Sequence, residues 1–211
     1  MIGNSVSVTN DGTLIETERL KLRLLRTSDA SDLFEYQSHP EIVKYIPWPE
    51  RTYDQVIEAL EKAINQGRSR LEGAGDFLIL GWELKDLTGM KGNEKICGSP
   101  GYRPGKVIGQ SNISLRSIED QLADIGWVTH QDFQRQGLAF EATNALMRYA
   151  FDNFLIHRIV ADIDTRNPES AAMAEKLGMR REGEFRDSEF FKGAWCSMWL
   201  YAILKDEFHS I

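Results

Sequence analysis

Cysteine is scarce in this chain, and long apolar runs are missing. Only 2 of the 211 residues are cysteine, Cys97 and Cys196, too few for a disulfide framework, so a reduced, cytoplasmic protein is expected. Neither has a Cys or His neighbour at metal-ligand spacing, so no metal site is predicted. No stretch approaches the roughly 18 apolar residues that span a membrane, and the polar start of the chain has no signal-peptide pattern.

Positive charge is also in short supply. The 25 Lys and Arg residues are outnumbered by 32 Asp and Glu residues, which gives a formal net charge of -7. Nucleic acids and anionic membranes attract proteins with a positive surface, so neither is expected as a partner. The same balance is compatible with a cationic partner. With 42% hydrophobic and 27% charged residues, the composition is that of a globular protein.

The common nucleotide-binding motifs are missing as well. The chain has no P-loop lysine motif and no G-x-G-x-x-G fingerprint, which disfavours nucleoside triphosphates and dinucleotides as ligands. Its residues do predict a strand, a short loop and a helix that begins around Gly137 and Ala139. Small residues in a first helical turn leave backbone N–H groups uncovered, which favours a pyrophosphate. Alternatively, Gly137 is present at the start of the helix only for packing.

The apolar patterns predict one mixed α/β domain. Leu20 to Leu24 alternates apolar and charged residues, as a half-buried strand does. Further strands are predicted at 77–84, 107–115, 122–129, 157–164, 183–191 and 195–204. Helices are predicted from Ala30 to Gln37, from Tyr53 to Gln66, from the Gln134–Ala139 segment to about Asn153, and from Asn167 to Leu177. The domain covers 14–208, behind a polar lead-in at 1–13.

Several motifs occur together in a recognisable order. Gln134-x-x-Gly137-x-Ala139 is followed by Asn167-Pro168-Glu169-Ser170 and then by Glu175-Lys176-Leu177-Gly178-Met179. In this order they resemble the GNAT superfamily of N-acetyltransferases. Near the start of the chain, residues 17–23 and the Tyr45-Ile46-Pro47-Trp48 segment resemble the ribosomal-protein (RimJ/RimL-type) branch of that superfamily. The resemblance spans about 14–208.

The resemblance implies a fold, a donor and an acceptor. The fold would be a single-domain GNAT-like α/β fold, with a mixed, mostly antiparallel, splayed β-sheet flanked by helices. Acetyl-CoA would be the co-substrate, without a metal. A primary amine would attack directly in a ternary complex. The amine could be a protein N-terminus, or a small molecule such as an antibiotic, a polyamine or an amino acid.

The resemblance also assigns residues to acetyl-CoA. Backbone groups of the strand end would pair with the pantetheine arm, an amide near Val128 would polarise the thioester carbonyl, and the amides of the following loop would hold the pyrophosphate. Arg135 would add a cationic contact, or be a surface arginine. The implied cofactor-binding residues are Trp127, Val128, Thr129, Gln134, Arg135, Gln136, Gly137, Leu138, Ala139, Asn167 and Ser170.

Three side chains are candidates for the catalytic chemistry. An ammonium has an unperturbed pKa near 10, so a base has to take its proton before the amine can attack. Glu189 is the favoured base and Asp124 the second candidate. Glu189 could instead be a solvated carboxylate on a strand, and Asp124 could instead have an ion-pair or edge role. Ser170 would serve the leaving thiol, although Asn167 can simply cap the helix that holds Ser170 in its first turn.

The chain departs from the family pattern at two places. Ala174 stands where many members have a tyrosine that acts as general acid, which increases the importance of Ser170. Cys196-Ser197 stands where many relatives have an acidic residue. These departures keep open a non-catalytic acyl-CoA-binding module. The sequence does not decide whether the protein dimerises.

The Gly-rich segment 85–105 is predicted to be a mobile loop near the acceptor mouth, because loops this long are often functional or mobile.

Overall fold

The computed structural model describes residues 9, 11–67 and 71–208. Within these residues there are eight strands: β1 (Thr13–Glu16), β2 (Leu20–Leu24), β3 (Phe77–Leu84), β4 (Val107–Ser117), β5 (Leu122–Thr129), β6 (Arg158–Asp164), β7 (Arg180–Phe191) and β8 (Ala194–Leu204). The α-helices are α1 (Ala30–Gln37), α2 (Pro40–Val43), α3 (Tyr53–Gln66), α4 (Glu94–Cys97), α5 (Leu138–Asn153), α6 (Pro168–Lys176) and α7 (Lys205–Phe208). Short 3-10 turns precede α1 and follow β5.

The strands form one open sheet in the order β1-β2-β3-β4-β5-β6-β8-β7. Neighbouring strands are antiparallel except for β5 and β6, which are parallel. Their pairing runs from Leu122 opposite Arg158 to Asp124 opposite Val160 and then stops. Both strands continue beyond that point, so the sheet opens between them. This confirms the predicted mixed, mostly antiparallel sheet.

Helices cover the two faces of the sheet unequally. Side chains alternate across a strand, so Ile125 and Val128 of β5 lie on opposite faces. Ile125 packs in the larger core with α5, whereas Val128 packs in a smaller core with Leu33 of α1 and Leu60 of α3. Among the described residues, no helix has both the length and the apolar character needed to cross a bilayer.

Most element boundaries follow from local sequence. Strands β2, β3 and β5 and helices α3 and α5 have the bounds that the apolar patterns predict or lie very close to them. Helix α3 begins after a capping box in which the Thr52 hydroxyl accepts from the Gln55 amide and the Gln55 side chain accepts from the Thr52 amide. Short elements were missed: β1 has four residues and depends on pairing with β2.

The Gly-rich segment 85–105 packs differently from the prediction. Leu87 and Ile96 are buried in the larger core, on the face of α5. The Ser99 hydroxyl donates to the carbonyl of Asp132 at 3.0 Å and accepts from Gln136 Nε2 at 3.2 Å. This part of the segment therefore lies against the loop that leads into α5, whereas Arg103 near its end binds Asp32 of α1 on the opposite face.

Candidate functional site

The opening between β5 and β6 leaves one edge of β5 without a strand partner. Beyond Asp124, the described strands pair β5 with β4 alone. Backbone groups that point away from β4 along Ile125 to Thr129 therefore face the opening. An extended ligand can bind such an edge as an additional strand would.

Alternation along β5 decides which residues face the opening. The His130 amide donates to the Ile108 carbonyl at 2.8 Å, and the register places Val128 opposite Gln110 two residues earlier. In an antiparallel pair, every second residue bonds the same neighbour, so the Val128 backbone is directed to β4. The backbone groups of Trp127 and Thr129 face the opening. The resemblance placed an amide near Val128 at the thioester carbonyl, but the Val128 amide itself is directed to β4.

The loop after β5 carries a set of unbonded amides. From Arg135 to Phe140, no backbone N–H has a hydrogen-bond acceptor within the described part of the chain, and the first bond into the helix is from the Glu141 amide to the Gly137 carbonyl, 3.0 Å. Arg135 and Gly137 have positive φ values, 57° and 78°. Helix N-termini of this kind bind phosphate groups, because the free donors and the helix dipole act together.

A long-range ion pair fixes this loop from behind. Arg19 Nε lies 2.6 Å from Glu141 Oε2, and Arg19 NH1 donates to the Gln136 carbonyl at 2.9 Å. The Thr17 hydroxyl and the Arg19 amide donate to the other oxygen of Glu141. Gln134 Nε2 donates to the Thr129 carbonyl at 3.3 Å, which ties the strand end to the loop. Sequence reasoning missed Arg19 and Glu141, which are 122 residues apart.

Asn167 caps helix α6, as its alternative assignment stated. Its side-chain oxygen accepts from the Ser170 amide at 3.1 Å. The Ser170 hydroxyl is half-buried and has no hydrogen bond to another described residue, so it remains available to a ligand. Ala174 is fully buried in the core below it. A tyrosine at this position would have to displace the surrounding core.

The two faces of the opening differ in character. The loop with the unbonded amides leads into α5, on the larger core. On the opposite face, Asp124 and Asp162 both bind Arg116, whose Nε is 3.1 Å from Asp124 and whose NH2 is 2.5 Å from Asp162. Burial raises the pKa of Asp124, although Arg116 acts against that shift. Asp124 is therefore held in an ion pair, and Arg116 was not foreseen.

Glu189 lies on the same face as Asp124 but farther along the sheet. It pairs across the strands with Cys196, and directly paired residues share a face. Its carboxylate is exposed and has no hydrogen bond or ion pair to another described residue. Its neighbour Cys196 on β8 is buried, and the Cys196 sulfur accepts from Arg166 NH2 at 3.0 Å. Glu189 is thus a carboxylate that is free to bind an ammonium or a water molecule.

The carboxyl end of β6 carries a second ion pair. Arg166 binds Asp164 through two bonds, Nε to Oδ1 at 2.8 Å and NH2 to Oδ2 at 2.6 Å. Burial of Asp164 opposes ionisation, but the bonds from Arg166 outweigh it and lower the pKa of the carboxyl group. The guanidinium also lies 5.8 Å from the ring centroid of Tyr45. Arg166 thereby joins the α2 region to the end of β6.

An Arg166→Met variant is expected to lose about 1–2 kcal/mol of stability at pH 7, because the fully buried Asp164 side chain loses its charged partner. The wild-type Asp164 pKa is lowered, so its contribution is present above the unfolded pKa and is lost as pH falls through the folded pKa. The stability difference between the wild-type chain and the variant should therefore be largest near pH 7 and should shrink as the pH falls. Urea unfolding from pH 3 to 7 measures this narrowing, with Arg166→Lys as an intermediate. An unchanged pH dependence would contradict it.

Candidate metal ligands are not clustered. Within the described residues, no group of three or more His, Cys, Asp or Glu side chains is placed to hold a metal ion. The site thus consists of a free strand edge, a loop of unbonded amides on one face, and carboxylates on the other.

Comparison with known proteins gives this arrangement a family. The acetyltransferase (GNAT) domain model matches residues 19–180. The uncharacterized N-acetyltransferase YnaD of Bacillus subtilis (strain 168) is 28% identical over 195 residues, 92% of this chain and 99% of YnaD. The ribosomal protein uS5-alanine N-acetyltransferase of Escherichia coli (strain K12) is 35% identical over 71 residues, 34% of this chain and 37% of that enzyme.

A solved structure of similar fold also belongs to this family. The GNAT-family acetyltransferase from Bacillus anthracis has a TM-score of 0.72 and 26% sequence identity, and the match covers 91% of this chain and 98% of that protein. The family match itself runs from the residue before β2 to the first residue of β7 and includes both faces of the opening. The chain belongs to the GNAT family of acetyl-CoA-dependent N-acetyltransferases.

Proposed function

We propose that this enzyme acetylates the free α-amino group of a protein, of the kind found at ribosomal-protein N-termini, by direct transfer from acetyl-CoA. The observation that carries the donor side is the row of unbonded amides from Arg135 to Phe140 beside the free edge of β5. The acceptor side is supported by the partial similarity to the uS5-alanine N-acetyltransferase.

The residues of the loop fit a pyrophosphate. The amides of Arg135, Gln136, Gly137, Leu138 and Ala139 supply donors without competing acceptors in the described chain. At Gly137 the positive φ and the absence of a side chain leave the amides open to a phosphate oxygen. When bound, acetyl-CoA supplies an acyl group activated as a thioester.

The strand edge would hold the pantetheine arm. The cleft-facing backbone belongs to Trp127 and Thr129, and the Thr129 carbonyl already accepts from Gln134. We therefore propose that the backbone N–H of Trp127 or Thr129 donates a hydrogen bond to the carbonyl oxygen of the thioester. Val128 contributes its side chain to the opposite face. A preorganised donor at the carbonyl oxygen stabilises the negative charge that develops there.

Glu189 would remove the proton of the acceptor ammonium, directly or through water. Glu189 has no partner among the described residues and lies on the face of the sheet that carries Asp124, which we call the acceptor face, whereas Asp124 is already bound to Arg116. Asp124 and Asp162 instead add negative potential that attracts a cationic amine. The Ser170 hydroxyl, which has no partner in the described chain, would donate a proton toward the leaving sulfur.

A small amine is the second candidate acceptor. The observation that favours it is the pair of carboxylates, Asp124 and Asp162, on the acceptor face. Their charge suits a polyamine as well as a peptide ammonium. A non-catalytic acyl-CoA-binding module is the remaining alternative, and it would bind CoA without transferring an acetyl group.

The test is to incubate the purified chain with acetyl-CoA and a panel of amines, and to follow CoA release with a thiol reagent. The panel contains peptides with alanine and serine N-termini, the same peptides with blocked N-termini, spermidine and free amino acids. We expect turnover with the free peptides at least tenfold above that with the blocked ones. Turnover with spermidine alone would favour the small-amine alternative. CoA binding without turnover would reject the catalytic proposal.

A further inference from the structure

We propose that the side-chain amide of Gln110 recognises the carbonyl oxygen next to the acceptor amine and thereby selects α-amino amides, as at a peptide N-terminus, over polyamines. This inference rests on the proposed function and assigns its acceptor specificity to one residue. Gln110 lies on β4 opposite Val128, on the acceptor face, at the level where the backbones of Trp127 and Thr129 face the opening.

Two donors hold the oxygen of Gln110. The Tyr36 hydroxyl donates to Gln110 Oε1 at 3.0 Å, and Gln37 Nε2 donates to the same atom at 3.2 Å. Tyr36 and Gln37 are both buried in α1. The Gln110 oxygen is therefore turned toward α1, and its nitrogen must point elsewhere.

The direction of these hydrogen bonds is fixed by Arg51. A guanidinium can only donate, and Arg51 NH1 lies 2.6 Å from Gln37 Oε1. The other end of the Gln37 amide must then be the NH2 group, which donates to the oxygen of Gln110. Arg51 itself is held by its amide, which donates to the Gln37 carbonyl at 3.2 Å, and by the Trp48 ring, 4.8 Å away.

The side-chain nitrogen of Gln110 has no hydrogen-bond partner among the described residues. No hydrogen bond from Gln110 Nε2 occurs within the described residues, and this atom is not among their buried, unsatisfied polar atoms. Gln110 as a whole is half-buried. Its NH2 group therefore reaches the accessible surface of the acceptor face with its donors free.

A fixed donor at this place distinguishes two classes of amine. In an α-amino amide, the carbon that bears the amine also bears a carbonyl group, whose oxygen can accept a hydrogen bond. A polyamine offers only ammonium and methylene groups, so it would leave the Gln110 donor unpaired or place a cationic N–H donor against it. Sites built around a hydrogen bond reject analogues that lack the partner.

The decisive experiment compares two amines, an alanine-initiated peptide and 2-aminobutane, which lacks the carbonyl. Gln110→Glu keeps the shape and the acceptor oxygens for Tyr36 and Gln37 but removes the donor. We expect the ratio of kcat/KM for the peptide to that for 2-aminobutane to fall roughly 10- to 100-fold, and kcat/KM for spermidine to rise. Because each ratio uses the same two amines, their different basicity cancels.

Two further variants separate recognition from general damage. Gln121→Glu makes the same chemical change at the turn between β4 and β5 and should leave the ratio unchanged. Arg51→Met removes the group that fixes the amide direction, so it should lower the ratio less than Gln110→Glu does. If Gln110→Glu lowered both kcat/KM values equally, the assignment to Gln110 would be overturned. Failure of the wild-type chain to acetylate any amine would instead reject the proposed function itself.

Discussion

A Gly137→Val variant is expected to bind CoA roughly 100-fold more weakly than the wild-type chain. Gly137 is the residue before α5, and its φ of 78° is one that L side chains rarely adopt. A β-carbon at this position would lie 3.3 Å from Arg19 NH2, the guanidinium that also holds the Gln136 carbonyl. The substitution therefore both strains the loop and presses on the residue that supports it.

The effect on affinity can be separated from backbone strain. Gly89 also has a φ of 78°, but a β-carbon there meets nothing within 4 Å. Gly89→Val should carry the same local strain and leave CoA affinity unchanged in calorimetric titration. Thermal unfolding of both variants measures the strain itself. CoA affinity that stayed at the wild-type level in Gly137→Val would remove the loop of unbonded amides as the pyrophosphate site.

Glu189→Gln is expected to lower kcat by about 100-fold, with KM for acetyl-CoA unchanged. The variant keeps the size of the side chain and removes its ability to take a proton. Glu189 is exposed and has no partner among the described residues, so the loss should not come from a weakened fold. Stopped-flow and steady-state measurements of the variant and the wild-type chain over pH 5–9 would reveal the loss.

A matched control lies on the same strand. Glu184 is also on β7, but it pairs with Trp199 on the other face of the sheet. Glu184→Gln should therefore keep the wild-type rate and pH profile. Asp124→Asn tests the competing base: if it abolished turnover while Glu189→Gln left turnover and pH profile intact, the base would be Asp124 and our assignment would be wrong.

Much of the fold could be predicted because it is encoded locally. Three signals act within a few residues each. They are the alternation from Leu20 to Leu24, the capping box at Thr52, and Gly178 with its positive φ after α6. The segment from Gln134 to Ala139 was recognised for the same reason. Its unbonded amides depend on the backbone angles of one continuous stretch, with positive φ at Arg135 and Gly137.

By itself, then, the sequence determined the order of the longer elements, the position of the loop between β5 and α5, and the family resemblance. The tertiary structure alone decided how distant residues combine. Arg19 binds the loop before α5, Arg116 binds Asp124, and the pairing of β5 with β4 turns the Val128 amide away from the opening. The physical reason is that strand register and ion pairs over long separations depend on packing of the whole sheet, which no local pattern records.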